Sequence, residues 1–455
     1  MSETVDARPA QPPQLRRALK LWHLVFYGLV LIQPTAPMPL FGIVSVEARG
    51  HVALTIFIAM GGMLFTAISY GRMARAYPAV GSAYTYVGRT LHPSLGFLTG
   101  WSMVMDYILN PIFCTIWCSK AAGNILPGIP FHLWALFFAA FFTALNLRGI
   151  KASANTNVGL ALGMGTVVAI FFAAAFRYLW NAGPLTAGQL TQPFYNPETF
   201  SPSAVLTGAS IAALTYIGFD GISTLSEEVE NPRRNILLAT VLTCLITGLL
   251  ASAEVYVAQL VWPDYQSFPD PDTAYVSVAG RVGGPWLFHL INLTLLVATI
   301  GSGSSAQLGA ARLLYGMGRD NALPRAFFGR LAEERAIPAN NVVFVGCLAL
   351  AGAYLISAQL AAELINFGAF LAFMGVNAAA FVHYYLRAGE RRLGYAVPPV
   401  LGFALCFYIW LNLRPVAKLA GGAWLVCGLV YGLVRTGGFR RGRIAFTLPD
   451  DSAHG

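Results

Sequence analysis

The stretch A-S-I-A-A-L-T-Y-I-G-F-D-G-I-S-T-L-S-E-E-V-E-N-P-R-R-N, from Ala209 to Asn235, decides the fold. It starts as an apolar helix, and Gly218-Phe219-Asp220-Gly221 then interrupts it with two glycines around a carboxylate. Each glycine weakens a helix by about 1 kcal/mol, and an ionised group at membrane depth costs about 3 kcal/mol or more. Two such penalties at one point need a reason. Unwound backbone in lipid persists only where it lines a cavity or is buried in protein. Broken helices are how secondary transporters build a site near the bilayer midplane. The stretch leaves through Glu227, Glu228, Asn231, Pro232, Arg233 and Arg234, a charged and helix-stopping exit. It reads as the sixth membrane span of a transporter.

The composition agrees. Of 455 residues 56% are hydrophobic and 11% charged, about half the charge of a soluble domain, which predicts an integral protein of the lipid bilayer. Spans of roughly 20 apolar residues can be counted twelve times along the chain. The net charge of +9 would suggest nucleic acid in a soluble protein, but its distribution serves topology. With the N-terminus in the cytoplasm, every basic residue except Arg49, Lys120, Arg177, Arg281, Arg414 and Lys418 falls in an inner segment. The positive-inside rule then places both termini in the cytoplasm, with no nucleic-acid partner. All six cysteines lie in apolar spans. Cys114 and Cys118 share a helix face, but no further ligand joins them, so they read as apolar filler and no metal is expected. Residues 1–20 are polar and lead into a full-length span, which predicts no cleavable signal peptide.

Along the chain, residues 1–19 read as a disordered cytoplasmic tail. The first span contains Q-P-T-A-P-M-P, in which Pro34, Pro37 and Pro39 cannot sit in a continuous helix, since each lacks an N–H and clashes with the preceding turn. Breaks at spans one and six, five apart, are the pointer to an inverted-repeat transporter and to its site. The expected organisation is a first five-helix repeat with its outside loop over 20–200 and an inverted second repeat over 201–390. Helices eleven and twelve over 391–436 and a cytoplasmic tail over 437–455 complete it. The eighth span is expected from Pro285 to Tyr315, and residues 81–86 read as a re-entrant or interfacial segment.

Y-I-G-F-D at 216–220 followed by S-E-E-V-E-N-P-R-R-N at 226–235 resembles the sixth-helix signature of the amino acid–polyamine–organocation permeases. Within that superfamily the chain most resembles bacterial putrescine importers. The resembling pieces are F-G-I-V-S (41–45), L-F-T-A-I-S-Y-G (64–71), G-S-A-Y-T-Y (81–86), D-Y (106–107), R-L-L-Y-G-M-G-R-D-N (312–321) and L-I-N-F-G-A (364–369). The resemblance implies an all-α fold of twelve transmembrane helices with a five-plus-five inverted repeat. It also implies alternating access, a site between helices 1, 3, 6, 8 and 10, and uptake of an amine or amino acid across the bacterial cytoplasmic (inner) membrane. Transport would be driven by an ion gradient, H⁺ or Na⁺, with no bound cofactor. The chain departs from the pattern twice. No carboxylate stands near Pro39, and Gly163 occupies the position, six after Asn157, where proton-coupled relatives carry a lysine.

The candidate binding residues are Thr35, Ala36 and Met38 at the first break, and Tyr216, Gly218, Phe219, Asp220 and Gly221 at the second. Asp106 and Tyr107 stand mid-span in helix three, and Ser302, Ser304 and Ser305 lie in a glycine-rich stretch of helix eight. Asp220 and Asp106 suit a countercharge for an amine or a gate, and equally a carboxylate satisfied by nearby hydroxyls such as Ser223. Tyr107, Tyr216 and Phe219 suit a wall for a cation, because ring faces attract ammonium groups, and also plain packing. The serines suit ligand or Na⁺ coordination, or interhelical hydrogen bonding. Glu227, Glu228, Arg233 and Arg234 read as an interfacial salt-bridge cluster that can close an inner gate. Glu254 and Glu363 lie nearer the ends of their spans and read as interfacial. The three prolines remove amide donors from the first break, so an α-carboxylate cradle there is poor. That favours a substrate recognised through its amine, while the missing helix-one acid favours a neutral amino acid. An enzyme is not expected, because H-E-x-x-H, a P-loop, D-D-x-x-D and G-x-S-x-G are all absent from the chain.

Overall fold

The computed structural model describes residues 19–77, 82–148, 154–225, 229–319, 323–332, 337–388 and 391–436. Among them there is no strand, only isolated bridges between Leu19 and Val229 and between Ala332 and Ile337. Nine of the helices are long and apolar enough to cross a membrane, and three shorter apolar helices accompany them. Large apolar side chains on the outside, such as Trp180, Leu355, Leu419 and Val434, are left at least three-quarters exposed. Such a perimeter is stable only in lipid.

The first span is divided as the prolines dictate. Helix α1 (Leu21–Ile32) stops at Gln33, whose φ of 71° is a left-handed conformation rare for a side chain of that size. Turn bonds from Ala36 to Gln33 (3.1 Å) and from Met38 to Thr35 (3.1 Å) bridge the gap. A 3₁₀ turn (Met38–Leu40) then opens into α2 (Phe41–Glu47). α3 (Val52–Ala76), the short α4 (Ser82–Thr90), α5 (Pro93–Ile125), α6 (Phe131–Arg148) and α7 (Ala154–Ala182) follow, with α8 (Ala187–Thr191) in the connecting loop.

The sixth span is divided as well. α9 (Pro202–Ala212) tightens into a 3₁₀ turn (Ala213–Tyr216), Ile217 is extended, and Gly218 takes φ 124° before a second 3₁₀ segment (Phe219–Leu225). Interrupting the helix orphans its last carbonyls. The Asn366 side-chain amide donates to two of them, Ser210 (2.5 Å) and Ile211 (3.2 Å). After Asn231, held at φ 49°, Pro232 starts α10 (Pro232–Val261).

α11 (Ala274–Arg319) contains a kink at Gly284 (φ 73°), so the eighth span starts at Pro285 as expected, and the helix before the kink is an addition. α12 (Arg325–Phe328) and α13 (Ala339–Leu355) lead to α14 (Ala358–Ala380), which continues as a π-helical turn, Phe381–Arg387. α15 (Leu393–Leu411) and α16 (Pro415–Thr436) end the described chain. Of residues 81–86, expected as a re-entrant or interfacial piece, 82–86 lie in the regular helix α4. The tail segments 1–18 and 437–455 lie outside the described residues.

One expectation needs correction. Glu254 and Glu363 are both fully buried rather than interfacial. The loop between α10 and α11 and the residue before α16 pack onto neighbouring helices. Lys120 at the end of α5 pairs with Asp272 and, at 3.4 Å, with Asp270 of that loop. Trp117 donates to the Asp272 carbonyl (3.0 Å). A side chain at Gly42 of α2 would collide with Pro271. Glu363 is paired with Arg414, just before α16.

Candidate functional site

The two interrupted spans lie against each other. A side chain at Gly28 of α1 would collide with Ile222 of the second 3₁₀ segment and with Thr243 of α10, so glycine permits the close approach. At the same end, Glu230 donates its backbone N–H to the Leu19 carbonyl (2.9 Å), tying the entry of the first span to the exit of the sixth. At the first break, Gln33 Nε2 donates to the Ala298 carbonyl of α11 (2.7 Å) and Thr35 Oγ1 approaches Met164 Sδ of α7 (3.8 Å). Thr35 and Met38 are buried and Ala36 is partly exposed.

Beside Gly218 the 3₁₀ geometry turns the Asp220 carboxylate back onto the backbone of Gly218, Asp220 and Gly221. The Gly221 N–H also reaches the Gly218 carbonyl (3.0 Å). Ser223 donates to the Asp220 carbonyl (2.6 Å) rather than to its carboxylate. Across from it, Asp106 and Tyr107 of α5 fall within the electrostatic reach of Asp220. α14 packs tightly here, because a side chain at Gly368 would collide with the Ser102 carbonyl and crowd the Asp106 N–H. Gly309 of α11 likewise leaves room for the Tyr107 ring. Neither Asp106 nor Asp220 pairs with a cation among the described residues. Asp106 and Asp220 thus lie within electrostatic range of each other, both buried, and no side chain among the described residues pairs with either as the opposite charge.

Aromatic residues pack beside these two carboxyl groups. Phe219 is fully buried, with its ring 5.5 Å from Tyr70 of α3 and 5.3 Å from Phe373 of α14. Tyr70 also stands edge-on to Tyr86 of α4 at 6.2 Å and to Phe373 at 5.8 Å. It shares the electrostatic environment of Asp220, Asp106 and Tyr107. Its hydroxyl is buried with no hydrogen-bond partner among the described residues. A buried orphan hydroxyl beside two carboxyl groups marks a place that a polar ligand or water completes. Tyr70, Tyr86, Phe373 and Gly368 were not among the sequence candidates. Both tyrosines do lie within stretches that carry the family resemblance, which was the available signal.

The remaining candidates are placed elsewhere. Tyr216 is fully buried and donates to the Ile56 carbonyl of α3 (2.9 Å), so it ties two helices. The stretch holding Ser302, Ser304 and Ser305 is unbroken helix. Ser302 lies beside Cys114, eight residues and about 12 Å along α5 from Asp106. The Ser304 carbonyl accepts from Asn146 (2.9 Å) while its hydroxyl is buried without a partner, and Ser305 is exposed. Glu227, Glu228 and the Arg233 side chain lie outside the described residues, and Arg234 is exposed. No group of three or more metal-ligating side chains occurs among the described residues.

A bundle of apolar helices with two interrupted spans, meeting beside paired carboxyl groups, defines a membrane transporter. The amino acid permease family matches residues 23–428, and the chain belongs to that family. It is 34% identical over 435 residues to the low-affinity putrescine importer PlaP of Escherichia coli, covering 94% of this chain and 95% of the relative. It is 25% identical to the branched-chain amino acid permease BcaP of Bacillus subtilis, covering 91% and 92%. The methylthioribose transporter of the same organism is also 25% identical, covering 94% and 95%. These are transporters and not enzymes, and the chain is a multi-pass protein of the bacterial inner membrane.

Proposed function

We propose that this permease imports a small cationic amine, a diamine of the putrescine class, by alternating access across the cytoplasmic membrane. The observation that carries this reading is that two buried carboxyl groups, Asp106 and Asp220, lie within electrostatic range of each other with no cation paired to either among the described residues. A substrate ammonium would neutralise them there, and the faces of Tyr70, Tyr107 and Phe219 add cation–π attraction. The low-affinity putrescine importer among its relatives supports the same substrate class. The twelve-span inverted repeat, cytoplasmic termini and coupling to an ion gradient belong to this proposal, as do Gly218 and Gly221 as the hinge that exposes Asp220.

Neutral amino acid transport is the second reading. It is favoured by the absence of an acid at the first break and by the branched-chain amino acid permease among the relatives. Uptake of radiolabelled putrescine into proteoliposomes, competed with unlabelled diamines and neutral amino acids, separates the two. Competition by diamines alone is expected, with uptake reduced at least about tenfold in Asp106→Asn and in Asp220→Asn. That is the loss of a charged hydrogen bond of about 1.5–3 kcal/mol. Competition by neutral amino acids at equal concentration would move the substrate to that class.

A further inference from the structure

Glu254 lies outside the site just described. It stands on α10, seven residues and about 10 Å from that helix's outer end. A side chain at Gly248 would meet the Tyr216 hydroxyl, which sets Gly248 level with the break in the sixth span. Glu254 is therefore six residues, about 9 Å, further out along α10. It is completely buried, and both carboxyl oxygens lack any hydrogen-bond partner. The neighbouring Tyr275 of α11 is also fully buried with an unpartnered hydroxyl, and lies in the electrostatic field of Glu254.

No charged group compensates it. On α3, Tyr70, Arg72 and Arg75 stand near the opposite end of the helix. On α1, His23 and Tyr27 are likewise at the inner end, and Glu47 at the end of α2 accepts from Gln359. His51 is occupied, with Nδ1 on the Ala48 carbonyl (2.8 Å) and Nε2 at the Asn196 N–H (3.1 Å). On α7, Tyr178 accepts from Arg281 of α11 at 3.2 Å. On α10 itself, Tyr256 donates to the Leu190 carbonyl and Arg234 is at the far end.

A fully buried carboxylate whose oxygens have no hydrogen-bond partner among the described residues is held poorly in its ionised form, because no protein group replaces its hydration. It must carry a cation or a proton. A metal ion needs more oxygen ligands than one carboxyl group and one phenol provide. We propose that Glu254 is a proton-binding site of the transport cycle, loaded from the outer face and separate from the substrate-binding carboxyl groups. This inference rests on the transport reading above. The link to the moving parts is Tyr275, whose ring meets Phe41 of α2 edge-on at 5.6 Å, while Phe41 meets Phe268 of the outer loop, also at 5.6 Å. When α2, the outer half of the first span, swings away from Tyr275, water reaches Glu254 and the proton can exchange. When α2 returns, the proton is sealed in.

The test uses the full-length protein in proteoliposomes and two readouts. Infrared difference spectroscopy across a pH titration, with no substrate present, is expected to show a protonated-carboxyl band near neutral pH. That band should be absent in Glu254→Gln and retained in Asp106→Asn. In Glu254→Gln, putrescine counterflow should stay within about twofold of wild type while accumulation driven by an inward proton gradient falls at least tenfold. Gradient-driven accumulation at the wild-type level in Glu254→Gln, or no carboxyl band assignable to Glu254, overturns the proposal. Should Glu254→Gln fail to insert, Glu254→Asp replaces it, and a pH profile of uptake identical to wild type overturns the proposal equally. Wild-type protein that moves neither amines nor amino acids would sink the transport reading, and the coupling role with it, while the infrared band would still report the proton on Glu254.

Discussion

Gly218 and Gly221 look alike in the sequence and differ in the structure. Gly218 is held at φ 124°, whereas Gly221 is not among the residues with positive φ. A side chain at Gly218 is strained by of order 1–3 kcal/mol, while a side chain at Gly221 meets no such backbone penalty. Gly218→Ala is expected to lower the unfolding temperature in detergent clearly, and Gly221→Ala to leave it near wild type. Equal effects would mean that the break does not depend on the left-handed residue. At this scale the carboxyl groups were legible, because an acid inside an apolar run is conspicuous. Tyr70 and Tyr86 were not, because an aromatic residue in a membrane helix is ordinarily packing. Only the orphaned Tyr70 hydroxyl beside Asp106 and Asp220 gives it another meaning.

At the scale of elements, both interruptions were legible because proline and glycine act on the local backbone. Three prolines end α1 whatever lies around it, and Gly218 does the same for the sixth span. What satisfies the interrupted helix was not legible. The amide of Asn366, more than 150 residues later in the chain, donates to Ser210 and Ile211 at the end of α9. Removing it in Asn366→Ala takes a side-chain donor away from two buried carbonyls, a loss of about 1–3 kcal/mol. A lower unfolding temperature is expected, together with slower uptake, whereas Asn366→Asp should be no better than Asn366→Ala because it has no amide hydrogens. Wild-type stability in Asn366→Ala would show that these carbonyls do not need the tie. The helical stretch before the kink at Gly284 and the π-helical turn after α14 were also missed.

For the whole molecule, the distribution of basic residues predicts cytoplasmic termini, and the exposed apolar perimeter requires a bilayer around the bundle. An epitope fused to either terminus should be inaccessible to antibody in intact spheroplasts and accessible after permeabilisation, and labelling of intact spheroplasts would invert the topology. The closures at the two ends became visible only in three dimensions. Glu230 bonds to Leu19 at one end, and Lys120 holds the loop of Asp270 and Asp272 at the other.

The sequence alone determined that the chain lives in a membrane, where its helices run and where two of them break. These follow from local hydrophobicity, charge and the backbone limits of proline and glycine, which do not depend on distant neighbours. Tertiary structure decided which acids face one another, which are paired and which are left bare. Asp106 and Asp220, far apart in sequence, come within electrostatic range, Glu363 has Arg414, and Glu254 has no partner among the described residues. Burial and hydrogen-bond satisfaction are set by residues far away in the chain, so the state of a carboxyl group in lipid cannot be read from its own helix.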